Sequence, residues 1–519
     1  MWLGIDFGTT RIVVASSDRG NYPVVTFESP NGEIQDWFPP LVAVCNGEWL
    51  YGWEAWAVQE DPSATVVRSL KRYLGDAGPD TPVEIANTSS PLSTILSELA
   101  SALHKALLTN SNLNVPPDEK LEVMLGVPAG ANSNQRFLTV DAFRRAGFSV
   151  LGMLNEPSAA SIEYGHSRGS QAPPKEHLLI YDLGGGTFDV SLVALDSHSH
   201  VILASDGIPT LGGDDFDLVL ADLALPDQDG LTQSELFRLY AECRAKKETL
   251  NPNSRKLVID LDVVRPGLGP VTVPVSEFYR RCQPLIEKTL HAVADVANRV
   301  SSLEALYVTG GGSEMPAVSR QLREVYGRKV KRSPYTRAAT AIGLAIQANR
   351  SSGYVLRDRF TRYFGVWREW DGGRLMRFDP LFAKGTDLPQ GGEPPLEQTR
   401  TYTAVHNIGH FRYLECSHLN GRGEPAGDIT LWDEVHFPFA PELQGAADLS
   451  AMPVEHAYLD QQIGETYHCG AGGELEVVIT NLTSGYERKY LLGRWGGKKE
   501  PIVPGKKKRA PAARKKAAG

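Results

Sequence analysis

The sequence predicts an α/β fold in two duplicated halves, followed by a smaller all-β domain. An apolar run, an acid, a glycine and two hydroxyl residues open the chain at residues 2–10, and a similar unit recurs at residues 178–193. Predicted strands alternate with predicted helices as far as about residue 350, which is typical of an α/β domain. Short alternating runs between turn signals then fill residues 363–495 and indicate a β-sandwich.

The composition sets broad limits on the class of protein. A chain of 519 residues is too long for one core, and 42% hydrophobic with 22% charged residues is ordinary for a globular protein. Apolar runs stay far below the roughly 18 residues of a membrane span. Met1 leads straight into the first predicted strand, so we expect no signal peptide. Five cysteines without a C-x-x-C pair predict free thiols in a reducing cytoplasm.

The net charge of −9 is unevenly distributed. Residues 498–519 contain nine Lys or Arg and one acid, which leaves −17 on the rest of the chain. This segment is rich in Lys, Ala, Pro and Gly, so we predict a disordered basic tail. Weak contact with a polyanion is one expectation for the tail, and a solvated tail without a partner is the alternative.

The unit at residues 178–193, LLIYDLGGGTFDVSLV, reads as two strands joined by a glycine loop. Asp182 and Asp189 flank this loop, and an acid beside a phosphate-binding loop suits Mg²⁺. An ordinary hairpin with a glycine turn is the alternative. Without Cβ atoms, the loop glycines can take positive φ and bring backbone N–H groups close to an anion; they are Gly184, Gly185 and Gly186.

Two further loops have a related pattern. Gly8, Thr9 and Thr10 follow the first strand, and a glycine-rich loop at residues 310–313 follows another apolar strand. A Walker phosphate loop, G-x-x-x-x-G-K-[ST], is absent from the sequence. We therefore expect each half to offer a phosphate loop and a carboxylate to one nucleotide bound between the halves.

Periodicity and capping signals place the remaining elements in order. The first half is predicted to hold strands at 38–44 and 121–127 and helices at 55–61, 65–74, 95–108, 134–146 and 156–163. The second half is predicted to hold strands at 201–207, 257–263 and 271–275 and helices at 235–250, 276–299, 315–326 and 338–349, with Ser276 as a cap. The β-sandwich is predicted from runs at 363–370, 399–406, 410–415, 429–435, 474–480 and 488–491.

These loops resemble the phosphate and adenosine motifs of the actin-like ATPase superfamily, which includes sugar kinases, actin and the seventy-kilodalton heat-shock chaperones. Four more segments are similar to the chaperones: LKRYLG at 70–75, VPA with NQR at 127–136, LNEPSAA at 154–160 and LGGDDFD at 211–217. The resemblance implies a two-lobed ATPase domain of duplicated ribonuclease H-like halves over residues 1–350. A linker at 351–362 and a substrate-binding-like β-sandwich at 363–497 would follow.

The resemblance also implies roles in attack of water on the γ-phosphate of ATP. The implied catalytic residues are Lys71, Glu156, Asp182 and Thr187. The implied ligands of Mg²⁺, with K⁺ as a further candidate ion, are Asp6, Asp182 and Asp189. The implied contacts with ATP or ADP are Gly8, Thr9, Thr10, Gly184, Gly185, Gly186, Gly213, Asp214, Lys247, Asn251, Gly310, Gly311 and Gly312. Pro128 and Arg136 would couple the two domains.

Four features depart from the family pattern. Glu314 stands where an Arg normally stacks on adenine, and Arg244 stands where the family has an acid near the ribose. Because Glu cannot stack on a base, we expect loose nucleotide binding. The linker has few aliphatic residues, and no C-terminal helical lid follows the sandwich. Lys246 and Lys247 are alternatively a solvated helix face.

Several functions remain open at this point. The resemblance favours a cytoplasmic ATPase chaperone that binds unfolded or partner polypeptides, with a J-domain co-chaperone and a nucleotide exchange factor as further partners. A small-molecule kinase, a filament-forming actin relative and a nucleotide-gated scaffold with feeble hydrolysis are the alternatives.

Overall fold

The computed structural model describes most of the chain. The described residues are 1–75, 77–116, 118–168, 176–196, 199–357, 359–370, 375–389, 393–446, 448–457, 459–470, 473–492 and 502.

The first half is built on a four-stranded sheet with the strand order β11-β10-β1-β2. The strands of the whole first half, including those in smaller sheets, are β1 (Trp2–Phe7), β2 (Ile12–Ser16), β3 (Phe27–Glu28), β4 (Ile34–Gln35), β5 (Val42–Cys45), β6 (Glu48–Tyr51), β7 (Ala64–Val67), β8 (Pro82–Ile85), β9 (Thr88–Pro91), β10 (Glu122–Val127) and β11 (Ser149–Asn155). Its helices are α1 (Trp53–Ala57), α2 (Leu92–Thr109), α3 (Ser133–Arg145) and α4 (Glu156–Arg168). Asn132 and Gln135 form a capping box at the start of α3, which satisfies backbone N–H groups there.

The second half is built on a six-stranded sheet with the order β18-β17-β12-β13-β14-β19. The strands of the whole second half, including the separate pair β15 and β16, are β12 (Glu176–Leu183), β13 (Phe188–Asp196), β14 (Ser199–Ile208), β15 (Lys256–Asp260), β16 (Pro270–Pro274), β17 (Ala305–Thr309), β18 (Val330–Arg332) and β19 (Val355–Arg357). Its helices are α5 (Gly213–Ala224), α6 (Gln233–Glu248), α7 (Val275–Ala297), α8 (Pro316–Tyr326) and α9 (Ala339–Ala348).

The two halves share one pairing scheme, as the repeated sequence unit predicts. In the first half, β1 pairs antiparallel with β2 and parallel with β10. In the second half, β12 pairs antiparallel with β13 and parallel with β17. Asp6 and Asp182 therefore lie at equivalent ends of the two central strands, and the predicted α/β fold of duplicated halves is confirmed.

Helices α4 and α9 pack between the two sheets in a shared apolar cluster. Two glycines permit this close packing. A Cβ atom on Gly343 of α9 would lie 1.8 Å from the Ala159 carbonyl oxygen of α4, and one on Gly4 of β1 would lie 2.2 Å from the Ala345 nitrogen. Any side chain there would push the helices away from β1 and from each other, and with them the cleft between the halves.

Residues 363–492 form two packed four-stranded sheets, with the orders β21-β20-β23-β24 and β22-β25-β26-β27. The strands are β20 (Tyr363–Trp370), β21 (Leu375–Phe382), β22 (Leu396–Thr403), β23 (Ile408–Leu419), β24 (Pro425–Pro438), β25 (Gln462–Cys469), β26 (Leu475–Asn481) and β27 (Tyr486–Leu492). Trp432, Phe364 and Tyr467 are among the buried side chains between the sheets. The predicted β-sandwich is confirmed, with β21 and β25 as additional strands.

The connection to the sandwich is more ordered than its polar sequence suggests. Within it, β19 adds to the edge of β14 in parallel, with Leu356 opposite His200, and Leu356 is buried. The altered linker therefore still joins the sheet of the second half.

Two local predictions are wrong. Residues 65–74 are not a helix: β7 pairs with β5, and a short 3-10 helix follows at Leu70–Tyr73. Pro274, not Ser276, occupies the cap of α7. The predicted disordered tail lies outside the described residues, apart from Ile502, whose backbone pairs with β8.

All five cysteines are free thiols, as predicted. Within the described part of the chain, no helix has the length and apolar character needed to cross a membrane.

Candidate functional site

A cleft between the two halves collects most of the residues that the sequence singles out. The glycine loops after β1, β12 and β17 form its floor, and α6 and residues 336–340 form one wall. The lining residues are Asp6, Gly8, Thr9, Thr10, Arg11, Val13, Lys71, Glu156, Asp182, Gly184, Gly185, Thr187, Gly213, Asp214, Arg244, Lys247, Glu248, Thr309, Gly310, Gly311, Gly312, Thr336, Arg337 and Thr340.

The glycine loops of the two halves touch each other at the floor of the cleft. A Cβ atom on Gly185 would lie 2.3 Å from the Thr10 side chain, and one on Gly186 would lie 2.6 Å from Thr9. None of Gly184, Gly185 and Gly186 adopts the positive φ that glycine would allow. Glycine is needed here for close approach of the two halves, not for a left-handed backbone.

Gly310 is the loop position where the left-handed backbone does occur, with φ at +82°. A Cβ atom there would lie 2.4 Å from Asp182 Oδ1 and 2.3 Å from the Leu183 carbonyl oxygen. Both constraints exclude a side chain at this position. The third loop therefore packs directly against Asp182, the acid next to the end of β12.

Two of the amides expected to face phosphate already have protein acceptors. The Gly184 N–H donates to the Thr187 carbonyl oxygen at 3.0 Å, and the Gly213 N–H donates to the Gly184 carbonyl oxygen at 2.9 Å. The candidate phosphate donors that remain from the prediction are the amides of Gly8, Thr9, Thr10, Gly185 and Gly186.

A buried ion pair lies at the centre of the cleft. Lys71 Nζ is 2.6 Å from Glu156 Oε1, and both side chains are less than one tenth exposed. Burial alone would lower the pKa of Lys71, but Glu156, Asp6 and Asp189 raise it above its usual value. Lys71 is therefore held as a cation that faces the glycine loops.

Three further acids surround this pair, so negative charge exceeds positive charge. Burial and the neighbouring Glu156 raise the pKa of Asp6 to about 7, and they do the same for Asp189. Burial, followed by repulsion from Glu156, Asp6 and Asp189, raises the pKa of Asp182 well above its usual value. This surplus of buried carboxylates is the chemistry that a divalent cation would relieve.

The carboxylates fit Mg²⁺ at the level of donor chemistry. Oxygen ligands are those that Mg²⁺ prefers, and it usually retains several waters. Across the described residues, no three acids, histidines or cysteines converge tightly enough to hold an ion alone. Asp6 and Asp182 would therefore hold a largely hydrated ion from opposite halves.

At the other end of the cleft, the positive residues of α6 are already paired. Lys247 Nζ is 2.6 Å from Asp217 Oδ1 and donates to the Gly213 carbonyl oxygen at 2.6 Å. Arg244 Nη2 is 2.5 Å from Asp214 Oδ1. Burial alone would raise the pKa of Asp214, but Arg244 and Arg72 hold it below its usual value.

Some of the predicted site residues lie away from the cleft. Asn251 is exposed in the turn after α6, where its Oδ1 accepts from the Asn253 N–H. Gly186 and Asp189 adjoin the cleft floor without lining it. Pro128 precedes Ala129, whose N–H donates to Asp189 Oδ1 at 2.8 Å. Arg136 lies on α3, facing the β-sandwich.

The rim of the cleft contains charged residues that the sequence motifs did not reveal. Arg11 Nη2 is 2.7 Å from Glu248 Oε2, so this ion pair bridges the two halves. Arg337 Nη2 is 2.6 Å from Glu314 Oε2. Glu314, which stands where the family has a stacking arginine, is thus paired with an arginine from elsewhere in the chain. Arg337 belongs to none of the sequence motifs. It lies in the segment between β18 and α9, and the sequence of that segment does not indicate that it reaches the cleft.

Comparison with known proteins agrees with this arrangement. The family model described as "Hsp70 protein" matches residues 2–361, more than two thirds of the chain. The chain belongs to the Hsp70 family. Its predicted two-lobed, actin-like ATPase fold is the fold described above.

Several curated relatives of this Hsp70 family member are chaperones by name. The heat shock cognate HSP70 protein of Trypanosoma brucei brucei is 28% identical over 435 residues, which cover 75% of this chain and 62% of that protein. HscA chaperone homologs of Bordetella petrii and Methylibium petroleiphilum are 32% and 33% identical, each covering 68% of this chain. The match spans 58% of the length of each HscA homolog.

Proposed function

We propose that this protein is an ATP-hydrolysing Hsp70-type chaperone that couples nucleotide state to the binding of unfolded or partner polypeptides. The observation that carries the proposal is the interlobe cleft, where the buried Lys71–Glu156 pair faces three glycine loops and the paired acids Asp6 and Asp182. This charge pattern suits the phosphates of ATP together with a cation.

The protein's part in the reaction is mainly positioning. Lys71 would balance charge on the transferred phosphoryl group, and Glu156, which accepts a hydrogen bond from its Nζ, would orient the attacking water. Thr187 lines the same cleft and is the proposed third contact with this group. When bound, Mg²⁺ supplies charge neutralisation to the phosphate oxygens.

A groove on the β-sandwich is the proposed polypeptide site. It has a volume of about 820 Å³ and runs between the ends of β20, β21, β22 and β23. Trp370, Met376, Val405 and Val454 line it with large exposed apolar surfaces. An extended peptide can fill such a groove with its apolar side chains.

Contacts that lead from the cleft towards the sandwich support coupling between the two sites. Asp189 accepts the Ala129 N–H near the cleft, and the same loop leads into α3. On α3, Arg136 Nη2 donates to Asn155 Oδ1 at 2.5 Å. A Cβ atom on Gly473 of the sandwich would lie 3.7 Å from Arg136 Cδ. Arg136 therefore connects the first half with the sandwich.

Other parts of the proposal rest on the family resemblance. A J-domain co-chaperone and a nucleotide exchange factor are the proposed partners that would regulate the cycle. The proposed location is cytoplasmic, in agreement with five free thiols.

The test is ATP hydrolysis by the full chain with and without an unfolded apolar peptide. We expect slow basal hydrolysis that the peptide accelerates, with peptide binding weakened by Trp370→Ala. Ile429→Ala is the control, because Ile429 is exposed on the same sandwich but does not line the groove. Nucleotide binding without any hydrolysis would favour a scaffold, and phosphorylation of a sugar would favour a kinase.

A further inference from the structure

Five alternating charges follow the rim of the cleft at the end formed by α6 and the third glycine loop. In spatial order they are Arg11, Glu248, Arg337, Glu314 and Arg332. Arg11 comes from the first half and the others come from the second half. Of the two arginines that contact Glu314, only Arg337 lines the cleft.

Carboxylates engage the donor edges of Arg337. Its Nε and Nη2 donate to Glu314 Oε2 at 2.9 and 2.6 Å, and its Nη1 is 3.6 Å from Glu248 Oε2. The residue is about one third exposed, beside Gly311 at the cleft wall. The guanidinium is thus hydrogen-bonded to Glu314 and lies within ion-pair distance of Glu248, and it still lines the cleft.

The contacts with Glu314 and Glu248 determine which part of the Arg337 guanidinium is left to bind a ligand. A guanidinium donates only in its own plane, and here that plane points towards two carboxylates. Its faces are weakly hydrated and stack well on aromatic rings. With its donor edges engaged by carboxylates, Arg337 has its faces left to offer a planar ring in this end of the cleft.

We propose that Arg337 is the residue that stacks on the nucleobase, with Glu314 and Glu248 as the positioning residues that hold it. This inference rests on the proposed function, because it assumes that a nucleotide occupies the cleft. It reverses the expectation of loose binding from Glu314. In this proposal Glu314 does not contact the base itself, and it positions Arg337 to do so.

The proposal predicts how the two positions depend on each other. Glu314→Arg alone should weaken nucleotide binding several-fold, because it removes the partner of Arg337 and places a like charge beside it. The double variant Glu314→Arg with Arg337→Glu restores an ion pair with an arginine at position 314. Its affinity should return to within about threefold of the parent.

The experiment is calorimetric titration of the full chain with Mg-ADP and, separately, with inorganic tripolyphosphate. Arg337→Ala should weaken ADP binding about tenfold and leave tripolyphosphate binding unchanged, because only ADP has a base to stack. Arg337→Lys should not rescue binding, since an ammonium group has no planar face. Arg332→Ala is the matched control, and its ADP affinity should stay within about twofold of the parent.

The outcomes separate this inference from the proposed function. Unchanged ADP affinity in Arg337→Ala, or an equal loss of ADP and tripolyphosphate binding, would overturn the stacking role. Failure of the double variant to regain affinity would overturn the positioning role of Glu314. A parent protein that binds no ADP would overturn the proposed function itself, and this inference with it.

Discussion

Asp379 shows how single charged residues stabilise the sandwich beside its groove. Arg400 donates to both of its carboxylate oxygens at 2.9 Å, and Arg368 Nε donates to one of them at 2.7 Å. Burial alone would raise the pKa of Asp379, but these hydrogen bonds hold it below its usual value. Its ionised form therefore stabilises the folded state.

The sign of the resulting pH dependence follows from linkage. Because the pKa of Asp379 is lower in the folded state, its contribution is complete above the unfolded value of about 4 and is lost as the pH falls below it. Asp379→Asn should lower the free energy of unfolding by about 1–2 kcal/mol at pH 7, and by less at pH 3. Thermal unfolding at both values measures this, with Asp460→Asn as the exposed control. An equal loss at both pH values would contradict the account.

Individual residues of the site differ in how well the sequence predicts them. Lys71, Glu156 and Asp182 lie inside distinctive motifs, and the structure brings all three to one cleft. Arg11 and Arg337 belong to no motif, because an ion pair between distant residues leaves no pattern in the sequence. The pairing of Glu314 was not predictable for the same reason, since its partner lies 23 positions further along the chain.

At the scale of elements, Ile502 forms an unexpected contact. Its N–H donates to the Pro82 carbonyl oxygen at 2.8 Å, and its carbonyl oxygen accepts the Glu84 N–H at 2.9 Å. The side chain packs on the apolar core of the first half. The chain thus returns from the sandwich to the edge of β8.

Hydrogen exchange at the Glu84 amide tests this contact directly. Ile502→Asp should speed exchange about fivefold if the pairing contributes about 1 kcal/mol, because the amide then faces water. Leu482→Asp, at an exposed apolar position of the sandwich, should have no effect. An unchanged rate in Ile502→Asp would show that the pairing does not form in solution.

Elements with a strong hydrophobic periodicity were predictable. Elements whose conformation depends on contacts with distant parts of the chain were not. Helix α2 follows a clear apolar stripe, and its predicted centre is correct. Residues 64–67 instead form a strand because β5 offers an edge to pair with, which local sequence does not report. The strands β21 and β25 were missed because short alternating runs are weak signals.

At the scale of the whole molecule, communication between the cleft and the groove is proposed to pass through Arg136. Arg136→Ala should leave basal ATP hydrolysis unchanged and reduce its stimulation by peptide about fivefold or more, because the contact with the sandwich is lost. Arg144→Ala, on an exposed turn of the same helix, is the control. Full stimulation in Arg136→Ala would remove this residue from the coupling path.

The overall architecture was predictable because it repeats. Two similar strand–acid–glycine units imply two similar halves, and the shared pairing of β1 and β12 confirms this. The packing of Ile502 was not predictable, because the two apolar residues between the basic clusters, Ile502 and Val503, do not reveal where they pack. The predicted boundaries of the domains, at residues 350, 362 and 497, stay a prediction.

Single-turnover hydrolysis by Lys71→Ala tests the central claim most directly. In the proposed mechanism this buried cation, with Glu156 at 2.6 Å, balances charge on the transferred phosphoryl group. The variant should bind Mg-ATP nearly as well as the parent and hydrolyse it about a hundredfold more slowly, equivalent to about 2.7 kcal/mol of barrier. Lys246→Ala, a more exposed lysine of α6, should hydrolyse ATP at the parent rate. A Lys71→Ala protein that binds ATP and hydrolyses it at the parent rate would contradict the account.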